Sequence, residues 1–167
     1  VSFGTNILTP AGATNAHSLT ISGWARFDTN SDNAGIYGEN WSSGNRIRYD
    51  FTGRSDTNTI SLDHWQPGGG NIDATVSFDD GTWHHIAYIQ DNTSSPNRQL
   101  FVNGVQVDSD NALENFSGSG VLQDVVIGAR VNVAPGRALD GGIDDMAFWH
   151  EALCGDEMKG VFDVASE

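Results

Sequence analysis

The segment Asp80–Asp91, DGTWHHIAYIQD, and the segment Arg98–Val107, RQLFVNGVQV, restrict the fold of this chain more than any other stretch. Asp80-Gly81 and Asn103-Gly104 are dipeptides that accept positive φ. Two-residue hairpins need that conformation, because it matches the right-handed twist of the strands they join. The residues around these turns are apolar and strand-forming, so the middle of the chain commits to antiparallel β-structure.

The rest of the chain follows the same pattern. In Ser18–Asp28, Leu19, Ile21, Gly23, Ala25 and Phe27 alternate with Thr20, Ser22, Trp24 and Arg26, the period of a strand with two different faces. Arg46–Thr52 sets Ile47, Tyr49 and Phe51 against Arg46, Arg48 and Asp50. Thr59–Trp65 sets Ile60, Leu62 and His64 against Ser61, Asp63 and Trp65. Further strands are expected at Gly35–Gly38, Ala74–Phe78, Trp83–Gln90, Gln99–Val102, Val105–Asp108, Val121–Ala129 and Gly142–Trp149. Roughly ten short strands separated by Gly, Asn, Asp and Ser predict an all-β, two-sheet antiparallel jelly-roll β-sandwich. Helix is scarce: Ala152–Phe162 predicts one short turn, with Asp156 and Glu157 suited to its start.

The 167 residues are enough for one domain, 1–167, with a sizeable core. Acidic residues outnumber basic ones 22 to 8, and the net charge of −14 argues against nucleic acid and against anionic lipid. An Asp-rich surface suits a protein in salty or calcium-rich surroundings. Cys154 is the only cysteine, so no internal disulfide forms and packing must supply the stability. No apolar run approaches the ~20 residues of a membrane span, so membrane insertion is not expected. The chain begins at Val1 without a recognisable leader, and it is expected to be part of a longer chain or assembly. Asn40, Asn92 and Asn115 head Asn-x-Ser/Thr triplets, which arise by chance in a chain of this composition.

Three stretches, in order, resemble the laminin G-like and concanavalin A-like lectin/glucanase family of jelly-roll domains. They are SLTISGWARF at Ser18–Phe27, the DGTWHHIAYIQD strand with its NG hairpin, and Ile127-Gly128 with LDGGIDDMAFWHEALCGDEM at Leu139–Met158. Cys154 stands where that family has a small Ser. The resemblance implies a laminin G-like sandwich over almost the whole chain. It implies a non-catalytic recognition module, carbohydrate-binding or adhesive, on a secreted, cell-surface or virion-surface protein. Two other roles go with the same fold: a structural or decoration domain of a viral particle or filament with protein partners, assembling into a larger multimer, and an accessory domain of a carbohydrate-active enzyme. In some relatives an Asp of the G-x-I-D motif joins backbone carbonyls around Ca2+. That implies Asp144 and Asp145 as metal ligands, with Asp28 or Asp140 as helpers.

The residues themselves narrow the chemistry. His84 and His85 are adjacent on a strand and point to opposite faces, so they do not chelate one ion, and both are expected to be packed or hydrogen-bonded scaffold. The internal Glu residues, Glu39, Glu114, Glu151 and Glu157, form no E-x-D-x-E pair of the kind retaining glycosidases use, and no catalytic residue is expected. Strand parity gives a partner surface instead. With Ile47, Tyr49, Phe51, Ile60 and Leu62 inward, Arg46, Arg48, Asp63 and Trp65 share the outer face, and Trp41 lies in a loop just before them. Aromatic rings stack on the C–H faces of sugars, while Arg and Asp bond hydroxyls and carboxylates, so these five residues are the expected glycan site.

Overall fold

The computed structural model describes residues 18–28, 34–42, 48–54, 59–64, 70–75, 81–112, 121–129 and 138–165. The strands are β1 (Ser18–Phe27), β2 (Ala34–Ser42), β3 (Arg48–Arg54), β4 (Thr59–His64), β5 (Asn71–Thr75), β6 (Trp83–Asp91), β7 (Arg98–Val102), β8 (Val105–Asp110), β9 (Val121–Ile127) and β10 (Gly141–Trp149), and one helix, α1 (Gly155–Ala165), follows. A first sheet runs β10-β1-β6-β7-β8 and a second runs β5-β4-β3-β2-β9. Every pairing is antiparallel, and the two sheets form a jelly-roll sandwich.

Three expectations are corrected. The strand foreseen at Ala74–Phe78 begins earlier, at Asn71, because Asn71–Thr75 pairs with Asp63–Thr59. Trp41 lies within β2 and not in a loop. Beyond an irregularity at Asn40/Trp41, the ladder to β9 resumes and sets Trp41 opposite Leu122. The single turn foreseen at Ala152–Phe162 is an 11-residue helix that starts at Gly155. Cys154 caps it: the Cys154 carbonyl accepts from Met158 N at 2.9 Å, and the Glu157 carboxylate accepts from Cys154 N at 2.7 Å. The first is the helix's own opening i→i+4 bond, and the second satisfies an N–H that a helix start leaves open.

The alternating apolar residues meet between the sheets. Leu19, Ile21, Ala25 and Phe27 of β1, Ile86 and Tyr88 of β6 and Leu100 of β7 pack against Ile36 and Tyr37 of β2, Ile60 and Leu62 of β4, Ile72 and Ala74 of β5 and Val125 of β9. Tyr37 and Phe148 lie with ring centroids 5.0 Å apart. Gly23 leaves room for Met146 where β1 passes β10: a Cβ there would come within 2.3 Å of Met146 Sδ and force that side chain to move. Burial of each large side chain in such a core stabilises by roughly 1.5–3 kcal/mol.

One charged residue ties the sheets at their edge. Arg98 on β7 is 1% exposed. Its Nε donates to Asp110 Oδ1 at 2.7 Å, a second guanidinium nitrogen donates to Asp110 Oδ2, and the third donates to the Gly70 carbonyl at 2.7 Å. Gly70 leads directly into β5 of the other sheet. Burial raises the Asp110 pKa, but the Arg98 and Ala112 hydrogen bonds outweigh it and hold the carboxyl below its ordinary value.

The outer face of the first sheet is partly covered too. Ala87, Ile89 and Phe101 pack there against Met158 of α1, with Ala152, Leu153 and Val161 around them. Thr20, outward by alternation, is fully buried; its hydroxyl donates to the Glu151 carbonyl at 2.8 Å and accepts from Leu153 N at 3.0 Å. The chain leading into the helix is thereby pinned across β1.

Candidate functional site

Of the five residues expected to bind glycan, the structure describes the backbone of three. Arg48 on β3 is in register with Asn40 on β2. Asp63 on β4 is in register with Asp50 on one side and Asn71 on the other. Trp41 stands two strands from β4, opposite Leu122. Arg46 and Trp65 lie outside the described residues. The ladder therefore brings Arg48 and Asp63 onto neighbouring strands at the centre of the second sheet. Ser61, two residues before Asp63, is buried and its hydroxyl donates to the Asp73 carboxylate on β5.

Asp144 and Asp145 sit at a bulge. β10 has two residues where β1 has only Gly23, between the pairs Ser22–Ala147 and Trp24–Asp144. Asp145 takes the extra turn with φ of 48°, and its N–H donates to Asp144 Oδ1 at 2.9 Å. Asp tolerates this left-handed conformation better than most residues. Both carboxylates are exposed. Asp28 is held by Arg26 through two hydrogen bonds of 2.7 and 2.9 Å, and Asp140 contributes its carbonyl to Asp28 N at 2.9 Å. Among the described residues no three His, Cys, Asp or Glu side chains group as a metal cluster would.

The two histidines part company as their strand positions require. His84 is buried and lies 3.0 Å from Thr82 Oγ1 through Nε2 and 3.2 Å from Asn103 Nδ2 through Nδ1. His85 faces the helix. Its ring meets Trp24 edge-on at 5.4 Å and Phe162 of α1 at 5.8 Å, and Trp24 lies 5.8 Å from Phe162. Desolvation in this aromatic enclosure lowers the His85 pKa. His85 Nδ1 and Trp24 Nε1 are buried there without a hydrogen-bond partner among the described residues.

Trp83, which begins the same strand, has a different setting. Arg26 separates it from Gly142 in the register β6-β1-β10. The indole nevertheless reaches Gly142: a Cβ built there would come within 2.6 Å of Trp83 Cη2. The ring thus lies across β1 along the sheet surface, with the Arg26 guanidinium 5.3 Å from its centroid. It remains 41% exposed. Its setting depends on where β10 docks, and no local sequence pattern carries that.

The model of the concanavalin A-like lectin/glucanases superfamily matches residues 3–159. No curated protein matches the chain. Among solved structures, the CBM40 of the Ruminococcus gnavus IT-sialidase superposes with a TM-score of 0.72 at 16% identity, over 88% of this chain and 83% of that one. The same module bound to α2,3-sialyllactose gives 0.69 at 14% identity, over 88% and 83%. The native heptameric SAP-like pentraxin from Limulus polyphemus gives 0.64 at 16% identity, over 93% and 79%. A leech intramolecular trans-sialidase gives 0.71 at 16% identity, and the chain covers 24% of that larger protein.

Proposed function

This chain belongs to the concanavalin A-like lectin/glucanases superfamily, and from that premise we propose that it is a non-catalytic carbohydrate-binding domain of a secreted, cell-surface or virion-surface protein. The supporting observation is the superposition on the R. gnavus CBM40 over most of both chains, a module also solved with sialyllactose. A glycan partner agrees with the acidic surface, which disfavours phosphate backbones. No helix among the described residues is long and apolar enough to cross a membrane.

The proposed ligand surface is the second sheet around Arg48 and Asp63, with Trp41, Arg46 and Trp65. A glycan array followed by titration calorimetry tests the reading. Binding of at least one glycan class, weakened at least tenfold by Arg48→Ala or Trp65→Ala, is expected. An array without a single positive would refute glycan binding.

A second reading, an accessory domain of a carbohydrate-active enzyme, is supported by the R. gnavus neighbour, a module of a sialidase. A parent reading frame without a catalytic domain would exclude it. Ca2+ at Asp144 and Asp145 is a separate proposal. Their exposed carboxylates would supply part of the six to eight oxygens the ion takes, with backbone and water completing the shell. A ligand selective for the native state must stabilise it, so a Tm indifferent to saturating calcium would remove the ion.

A further inference from the structure

We propose a second sugar subsite on the opposite sheet, in which Trp83 is the stacking platform and the Arg26–Asp28 pair supplies hydrogen bonds to a neutral pyranose. It shares its ligand class, but not its surface or residues, with the function proposed above.

The geometry comes first. An aromatic side chain at a strand start ordinarily stands up from the sheet or folds into the core. Trp83 lies along the sheet instead, from β6 over β1 to Gly142 of β10, where any side chain would collide with it. The Arg26 guanidinium lies over the ring, 5.3 Å from its centroid, and the indole is still 41% exposed, so the part the guanidinium leaves open is a flat apolar surface. Among the described residues the exposed large apolar side chains are Trp83, Val105, Val107 and Val164, so Trp83 is the aromatic one. A lone ring bordered by polar groups is a small target. A protein partner would need about 800 Å² of complementary surface, whereas one pyranose ring covers an indole with its axial C–H face.

Charge then selects the kind of sugar. Arg26 and Asp28 are both partly open, with side chains 36% and 40% exposed, and they face each other in a two-point ion pair. Two of the five guanidinium N–H groups are used by Asp28, and each carboxylate oxygen keeps a second lone pair. Vicinal hydroxyls both donate and accept, so they match a donor and an acceptor set side by side. An anionic sugar would find the arginine already neutralised and would meet exposed Asp140 and Asp144, two positions before and two after Gly142. A neutral hexose meets neither obstacle.

The probes are methyl hexopyranosides and neutral oligosaccharides (lactose, maltotriose and cellotriose), with sialyllactose as the anionic comparison. The readouts are residue-resolved oxidative footprinting and calorimetry. A neutral oligosaccharide is expected to slow Trp83 oxidation at least threefold. Trp83→Ala should weaken its binding at least tenfold, Trp83→Phe should stay within about threefold of wild type, and Gly142→Val, which displaces the ring, should behave like Trp83→Ala. Matching Tm values separate these effects from unfolding. A neutral sugar that binds equally to wild type and Trp83→Ala, without protecting Trp83, overturns this subsite and leaves glycan binding standing. Binding of sialyllactose alone has the same result. No binding by any sugar overturns both.

Discussion

Replacing Asp110 by Asn would remove the charge that balances Arg98 while keeping nearly the same shape. Arg98 is 1% exposed and holds Asp110 through two guanidinium nitrogens and Gly70 through the third. A guanidinium does not lose its proton inside a protein, so the buried cation could not escape by neutralising. Breaking one side of such a pair costs about 3–5 kcal/mol. The converse change, Arg98→Met, should be milder. The Asp110 side chain is 34% exposed and can rehydrate, which leaves the Gly70 carbonyl as the principal loss, about 1–3 kcal/mol. With an unfolding entropy of about 2.1 cal/mol/K per residue, a chain of 167 residues changes stability by roughly 0.35 kcal/mol per degree near its melting point. Asp110→Asn should therefore lower the Tm by about 9–14 °C, Arg98→Met by about 3–9 °C, and the double variant should resemble Arg98→Met. Scanning calorimetry and urea unfolding measure all three, with an unchanged m-value showing that the native state alone is affected. If Arg98→Met proves more damaging than Asp110→Asn, the unpaired cation is not the dominant cost and the reasoning fails.

Two further predictions rest on the face that α1 covers. His85 is held neutral by burial, so its folded pKa lies below its unfolded value of about 6.5, and the unfolded chain takes up the extra proton as pH falls through that value. Stability should be complete above pH ~6.5 and should decline below it by up to about 1.4 kcal/mol per unit. His85→Phe should flatten this slope between pH 6.5 and 5, above the range in which Asp91 and Asp110 titrate; parallel wild-type and variant curves would count against it. Gly104→Ala sets a side chain on a residue at φ of 74° and 2.8 Å from Phe162 Cδ1, so a loss of about 2–4 kcal/mol in urea unfolding is expected. A change below about 0.5 kcal/mol would mean that the turn and the helix do not press on each other as described.

Local patterns in this chain report faithfully on events that local geometry controls. Leu19, Ile21, Ala25 and Phe27 reach the core because a strand has period two, and Asn103-Gly104 turns with φ of 50° and 74° because those residues tolerate it. The same alternation places Thr20 and Ser22 outside, yet both are buried. What covers that face is the C-terminal segment, docked there from more than a hundred residues away. Trp41 reads as loop for a similar reason: its strand continues only because β9 is there to pair with it. Of the expected glycan face, the Arg48 and Asp63 register positions follow from parity once β3 and β4 pair. The Trp83 platform has no such local signature, because it exists only where β6, β1 and β10 lie side by side and position 142 lacks a side chain.

Phe162 has a practical consequence for where this domain can be cut. The family match stops at residue 159. A fragment trimmed to that boundary would still contain every strand, and by sequence comparison it would look whole. It would lack the ring that roofs Trp24 and His85, and the contact that backs the Asn103-Gly104 turn. An aromatic trench would open on the first sheet beside Trp83. Such a fragment would expose new sticky surface in any binding assay, and a sugar-binding measurement made on it would report on that trench as well as on the native face. A fragment meant to keep that roof must run at least through Phe162 of α1.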